Sequence, residues 1–365
     1  MLTEEKIKEA LTQVKDPELN RNLVELGMVR SIEIKERKVK VNLALTFAGC
    51  PLKDQIVAEA KRAILSLAEV EEVEIETTEM TDEERRRIGL GGQKQGLAEP
   101  FNKVHHCLAV MSGKGGVGKS LVSSLLALAF RENGHRVGIL DADITGPSIP
   151  KIFGLKDKPS SGPLGIMPVV SRKGIKVMSI NLLLPDEDIP VIWRGPLISS
   201  AIRQFWGDVF WGELDWLIVD LPPGTSDASL TVMQALPLSG VVLVSTPQDL
   251  AEMVVRKAAW MARKMKVPLL GLIENMSYFV CPESGRAYEI FGPSRGEEMA
   301  TRLQVAFLGR LPIDPRIASL CDAGEIENLS LDNFLPVARR LTEVMAKELT
   351  QNKKRPSSEN NKENR

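Results

Sequence analysis

Two patterns and the chain length predict an α/β protein: a parallel, doubly wound sheet with a small α/β domain in front of it. From Val104 onward, apolar runs (CLAVM, RVGIL, KVMSI, DWLIVD, GVVLVS, LLGLIE and AFLGRL) alternate with helix-length patterns, as strands buried on both faces do. Before residue 78 the rhythm is shorter and mixes helical and strand-like runs. A chain of 365 residues also exceeds what a single core usually supports, so two domains are expected.

The elements follow in order. EEKIKEALTQV spaces its apolar residues as a helix does, Asp16-Pro17 makes a turn, and SIEIKE and KVKVNLALTF read as strands. A helix from Pro51 to Leu67 and a short strand from Val70 to Ile75 complete a small domain over residues 1–77. Residues 78–103 hold TDEERRR, GLGGQKQG and AEPFNK, polar and glycine-rich without apolar periodicity, and read as a flexible linker. The large domain occupies 104–350, its last helix running from about Asp332 to Leu349. The final stretch, QNKKRPSSENNKENR at 351–365, has no apolar residue except Pro356 and reads as a disordered polar tail.

Composition narrows the function. Hydrophobic residues make up 43%, charged residues 26%, and the formal net charge is -1, which argues against a general nucleic-acid binder. No apolar run reaches bilayer length and the N-terminus lacks a signal-peptide core, so a cytoplasmic location is expected. Four scattered cysteines, Cys50, Cys107, Cys281 and Cys321, argue for reduced thiols and against a disulfide framework.

GKGGVGKS, residues 113–120, lies directly after the strand CLAVM and before the helix pattern LVSSLLALAF, and satisfies GxxxxGK[ST] in the required context. Gly113, Lys114, Gly115, Gly116, Val117 and Gly118 would wrap backbone N–H groups around phosphate oxygens; Lys119 supplies charge and Ser120 a ligand for Mg²⁺. Asp220 ends WLIVD and precedes LPPG, placed to hold Mg²⁺ through water, with Gly224 free to approach a γ-phosphate. Asp141 and Asp143, in DADITGPS, end RVGIL at the same carboxyl edge, Asp141 as a further Mg²⁺ candidate. Each aspartate can also be read as a cap.

GKGGVGKS, DADITGPSIP and DLPPGTSD together resemble the deviant Walker A ATPases, the group of MinD, ParA, ArsA and the nitrogenase iron protein. The resemblance implies a P-loop ATPase sheet and an ATP-dependent nucleotide-sandwich homodimer. It makes Lys114 the lysine that reaches the partner's phosphates and puts Asp143 near the attacking water. With TGPS, WRGP, ENMSYF and the CP...IFG loop added, residues 104 to about 346 look like the Mrp (ApbC) branch, implicated in carrying or assembling iron-sulfur clusters. That likeness implies an adenine contact at Asn275, which can equally cap its strand. It also implies a segment flanking the base at LPIDP, including Pro312 and Asp314.

The first segment, through DPELNRNLVELGMV, VNLALTF and GCPL, resembles the PaaD-like and SufT-like assembly module. Cys50 precedes Pro51, so it reads as a helix N-cap whose thiol pKa is depressed, or as a small buried residue. His105 and His106 read as strand openers, and Cys107 and Cys321 as core or surface residues.

YFVCPESGRAYEIFG, residues 278–292, matches the loop where the Mrp family usually carries CxxC, and where two loops of a dimer can hold one [4Fe-4S] cluster. Here the second cysteine is Ser284, so two copies of Cys281 supply two thiolates where four are wanted. Three readings follow: a labile cluster completed by small thiols, serine oxygen or Cys50; cluster work moved to Cys50; or an assembly role without a cluster. The leading function is an ATP-hydrolysing iron-sulfur carrier or assembly factor acting on client or scaffold proteins. The alternatives are a MinD- or ParA-type positioning ATPase, or a metal-free nucleotide-gated protein adaptor. The C-terminus, with five basic and two acidic residues and no apolar face, disfavours a stable membrane anchor.

Overall fold

Thr3 caps the first helix, its Oγ1 accepting from the Lys6 N–H at 3.4 Å, and α1 (Glu4–Leu11) turns Ile7 and Leu11 inward. Strands β1 (Val29–Lys35) and β2 (Lys38–Leu45) form a hairpin, and after α2 (Lys53–Leu65) strand β3 (Glu72–Glu79) returns parallel to β2. The inward residues of these elements, among them Val41, Leu43, Ile56 and Ile64, make one core. The computed structural model describes residues 2–16, 21–45, 53–81, 84, 96–186, 193 and 195–354. The chain divides into two units, 1–94 and 95–365.

The second unit begins with β4 (Lys103–Ser112), α3 (Lys119–Glu132), β5 (Val137–Asp141) and α4 (Ile149–Ile152). Short strands follow: β6 (Ser160–Gly162), β7 (Gly165–Met167), β8 (Val169–Val170) and β9 (Lys176–Met178). Then come α5 (Gly195–Gly207), β10 (Glu213–Asp220), α6 (Asp227–Ala235), β11 (Gly240–Ser245), α7 (Asp249–Lys264) and β12 (Leu269–Val280). The unit closes with β13 (Ala287–Tyr288), α8 (Gly296–Arg302), β14 (Ala306–Ile313), α9 (Pro315–Ala323) and α10 (Leu335–Lys354). Among the described residues the main sheet has nine strands in the order β13-β12-β11-β4-β10-β5-β9-β8, with β14 pairing β12. Its central pairs are parallel and β8 and β13 are antiparallel edges, so the expected doubly wound sheet is present with antiparallel borders.

The alternation of β4 shows why both faces are apolar. Leu108 and Val110 pack with α3 and α10, while Cys107, Ala109 and Met111 pack with α5, α6 and α7. Strand β4 lies between β10 and β11; the chain leaves it toward β5 on the β10 side and later crosses from β10 to β11 on its other side, so the carboxyl end of β4 is the switch point where such sheets bind ligands.

Four boundaries differ from the sequence reading. β3 extends to Glu79, beyond 77. Part of the stretch read as linker is held in place: Ala98 is fully buried, its N–H bonds to the Gly207 carbonyl at 3.0 Å, and β4 already starts at Lys103. The strand LLGLIE continues past Asn275 to Val280, so Asn275 is interior to β12 and does not cap it. Helix α10 runs to Lys354 and takes in the first residues assigned to the tail. The rest of that tail, and Cys50, lie outside the described residues.

Candidate functional site

The glycine loop joins β4 to α3, and two of its glycines are required by geometry. A Cβ on Gly113 would lie 2.5 Å from the backbone of Val254 and Val255 in α7. Gly118 caps α3 at φ 79°, a left-handed conformation, and a Cβ there would meet the Asn275 amide nitrogen at 2.2 Å. Beyond the loop, α3 presents free N–H groups and its positive end, the local chemistry of an anion site.

Three side chains of α3 converge on the end of β10. Lys119 Nζ lies 2.7 Å from Asp220 Oδ2, Ser120 Oγ donates to the same oxygen at 2.6 Å, and Ser123 Oγ donates to Oδ1 at 2.6 Å. Lys119 is 6% exposed and Asp220 is fully buried, so the pair is desolvated and held by hydrogen bonds as well as charge. Asp141, one strand over, accepts from the Asp143 N–H at 3.2 Å, the Ile149 N–H at 3.3 Å and Ser179 Oγ at 3.1 Å. Burial first, and then the charge of Asp220, push its carboxyl well above the usual carboxylate range, against the pull of Lys119. Asp141 thus organises the DADITGPS turn. Asp143 accepts from Thr145 Oγ1 and the Gly146 N–H, both at 3.1 Å. Lys114 is at the loop surface, where its Nζ donates to Gln248 Oε1 at 2.6 Å. Gly224, at φ 77°, follows Asp220 and donates its N–H to the Ser112 carbonyl at 2.9 Å.

Asn275 is 2% exposed, and its Nδ2 donates to the Val117 carbonyl at 2.9 Å, bracing the glycine loop directly. It also lines a cavity of about 450 Å³ with Leu121, Leu125, Pro312 and Asp314, so the three residues expected around a base share one recess beside α3. Asp314 caps α9 and pairs with Arg316, whose hydrogen bond holds the carboxyl below its ordinary range. A larger cavity of about 700 Å³ lies around His105, His106, His135 and Trp216, at the amino-terminal ends of β4 and β10. It is at the opposite sheet edge from the glycine loop, so the smaller recess is the one that continues the phosphate site.

Cys281 follows β12 in a turn closed by the Gly285 N–H on the Cys281 carbonyl at 2.9 Å. Its thiol pKa is lowered, chiefly by the Ser284 side chain and then by the backbone N–H groups of Ser284 and Glu283. Ser284 stands where the second cysteine of a knuckle would, and its Oγ accepts from the Arg286 N–H at 3.4 Å. Cys321 differs: burial raises its pKa, and burial pushes Cys107 up to about 12. Among the described residues no group of three or more His, Cys, Asp and Glu is arranged to hold a metal.

Sequence reading missed Ser123 as a partner of Asp220, Ser179 as a partner of Asp141, and the bond from Asn275 to the loop. Ser123 carried a signal, since it follows Ser120 by one helical turn on the face turned to the sheet.

Residues 103–348 match the NUBPL iron-transfer P-loop NTPase family, and residues 4–76 match a family of iron-sulfur cluster assembly proteins. An iron-sulfur cluster carrier protein of Synechocystis is 41% identical over 319 residues, covering 86% of this chain and 88% of that protein. One from Methanocaldococcus jannaschii is 47% identical over 261 residues, 70% of this chain and 90% of that one. A nucleotide-binding protein of Archaeoglobus fulgidus, solved in complex with ADP, is 47% identical, with a TM-score of 0.59 over 65% of this chain and 94% of its own. With its glycine loop, its buried lysine–carboxylate pair and a match over most of its length, the chain belongs to the NUBPL iron-transfer P-loop NTPase family.

Proposed function

We propose that the protein is an ATP-dependent iron-sulfur cluster carrier that works as a nucleotide-sandwich homodimer in the cytoplasm and delivers its cargo to client proteins. The observation that carries this reading is the convergence of Lys119, Ser120 and Ser123 on buried Asp220 at the sheet's switch point, in the same unit as an exposed turn that favours thiolate at Cys281. Phosphate would take Lys119 from Asp220 while Ser123 keeps the carboxylate oriented. The donors left beside it, the Ser120 hydroxyl and Asp220 carboxylate, are hard oxygens suited to Mg²⁺, which would neutralise phosphate charge there. Asn275, Pro312 and Asp314 supply the walls of a base recess. Asp143 would orient the attacking water, and Lys114, whose Nζ bonds Gln248 at the loop surface, would exchange that partner for the phosphates of a second chain. Hydrolysis is expected to be slow, because two chains must close before that lysine arrives.

The cluster is cargo. One chain offers one thiolate from this turn, so a bridging site needs a second copy. Val280, Tyr288, Ile290 and Phe291 are exposed around the turn and would be covered by such pairing. Ser284 supplies a harder ligand than thiolate, which suits reversible holding. It also favours a second reading, a metal-free nucleotide-gated adaptor. Anaerobic reconstitution with iron and sulfide, with and without Mg-ATP, decides between them. The carrier reading expects iron and sulfide per dimer that fall on Cys281→Ser and transfer to an apo acceptor; no bound iron in the parent protein leaves the adaptor.

A further inference from the structure

Two adjacent residues of β12 hold two different loops. Asn275 donates to the Val117 carbonyl of the glycine loop at 2.9 Å. Its neighbour Glu274, whose side chain leaves the opposite face of the strand, is 1% exposed and accepts from Ser277, from Ser294 Oγ at 2.7 Å and from the Arg295 N–H at 2.9 Å. Ser294 and Arg295 end the segment that begins at Cys281. Arg310, on β14, adds a second hold: its Nε donates to Ser277 Oγ at 2.7 Å, its guanidinium pairs with Glu289 at 2.7 Å and lies 5.3 Å from the Tyr278 ring centroid. The cysteine segment is thus anchored at its middle and its end to the carboxylate beside Asn275.

Between the anchors, β12 is irregular. Met276 has φ 53°, a left-handed conformation uncommon for a side chain of this kind, and the pairing with β14 shifts register between Glu274 and Tyr278. A strand with such a bulge has a local place to change its aim without unzipping its neighbours.

We propose that Glu274 is a positioning residue for the Cys281 segment, and that the Glu274–Asn275 pair transmits the state of the glycine loop to that thiol. The proposal rests on the nucleotide reading above. Closure of the loop around phosphate shifts the Val117 carbonyl, Asn275 follows its hydrogen bond, and Glu274 carries the change to Ser294, Arg295 and Cys281.

The test uses the full-length, iron-free, reduced protein. Alkylation of Cys281 by iodoacetamide is followed by peptide mass spectrometry with and without Mg²⁺ and a non-hydrolysable ATP analogue. Light scattering on the same samples checks that oligomeric state is matched, and a fluorescent nucleotide gives the affinity. The parent should show a nucleotide-dependent change of about fivefold in the Cys281 rate, within ordinary site-to-site coupling. Glu274→Ala should bring that ratio close to one while nucleotide affinity is largely kept. Glu274→Gln should recover part of it, because the Ser277 and Ser294 hydroxyls can turn to accept from the amide. Should Glu274→Ala fail to fold, Ser294→Ala removes one of the two bonds from the segment's end to Glu274, leaving the Arg295 N–H, and should lower the ratio part of the way; an unchanged ratio overturns the proposal. Nucleotide binding without any labelling response in the parent sinks the coupling alone. Absence of nucleotide binding sinks the ATP reading and the coupling together. Because no cluster is loaded, failure of cluster binding leaves this result standing.

Discussion

Lys119, Ser120 and Ser123 meet on one buried carboxylate, while Cys281 is held by the exposed Ser284 of its own turn and nearby backbone. The first site draws on α3 and β10, whose residues are about a hundred positions apart in sequence, and its lysine–serine–carboxylate cluster lies within one chain. The second is assembled from a few consecutive residues and offers a single thiolate. The contrast separates two tasks. A phosphate loop gains from rigid, desolvated, prearranged donors, whereas a site that must release its cargo gains from exposure and from ligands that a second chain completes.

The strongest way to break this comparison is to remove the central cation. Lys119→Ala leaves Asp220 buried without its charge partner and should weaken nucleotide binding by about 3 kcal/mol, more than a hundredfold, measured by calorimetric titration. Binding within a few-fold of the parent would show that the loop does not depend on its buried lysine. Lys114→Ala sharpens the same point, because its ammonium is at the surface and needed only when two chains close. Hydrolysis should fall about a hundredfold with affinity nearly kept, as for a cation supplied in trans, and equal loss of both would remove the sandwich mechanism.

On the cysteine side, Ser284→Cys completes the knuckle with a soft ligand. The lifetime of a reconstituted cluster under chelator should lengthen by about tenfold, read from the decay of visible absorption, and no change would take the loop out of cluster binding. The smallest effect concerns proton affinity. Ser284 is the first cause that holds the Cys281 pKa below its usual value, so Cys281 carries more thiolate at neutral pH than an ordinary thiol. Ser284→Ala raises that pKa and should slow Cys281 alkylation several-fold near pH 7, with rates converging above the ordinary thiol pKa of about 8.5. A difference that persists at pH 10 would point to access and not to ionisation.

Local chemistry was legible before the fold. GKGGVGKS between an apolar run and a helix pattern could be read because all its parts lie within eight consecutive residues, and Asp141 and Asp220 because each ends a strand whose apolar run is plain. Asn275 reads from the sequence as a base contact and lines a cavity with Pro312 and Asp314, yet its bond to the glycine loop spans 158 positions and has no trace in local sequence. The N-terminal edge of the large unit was misplaced for a similar reason. AEPFNK is polar and proline-containing, but Ala98 is buried by a backbone partner at Gly207.

The sequence by itself determined the order of strands and helices, the glycine loop, the acidic strand ends and the lone cysteine of the 281 turn, because each depends on residue type at short spacing. Only the tertiary structure decided that Ser123 orients Asp220, that Ser179 steadies Asp141, and that Glu274 and Asn275 face two loops from one strand. These contacts follow from which strands become neighbours and in what register, and that choice is made by burying both faces of the whole sheet at once.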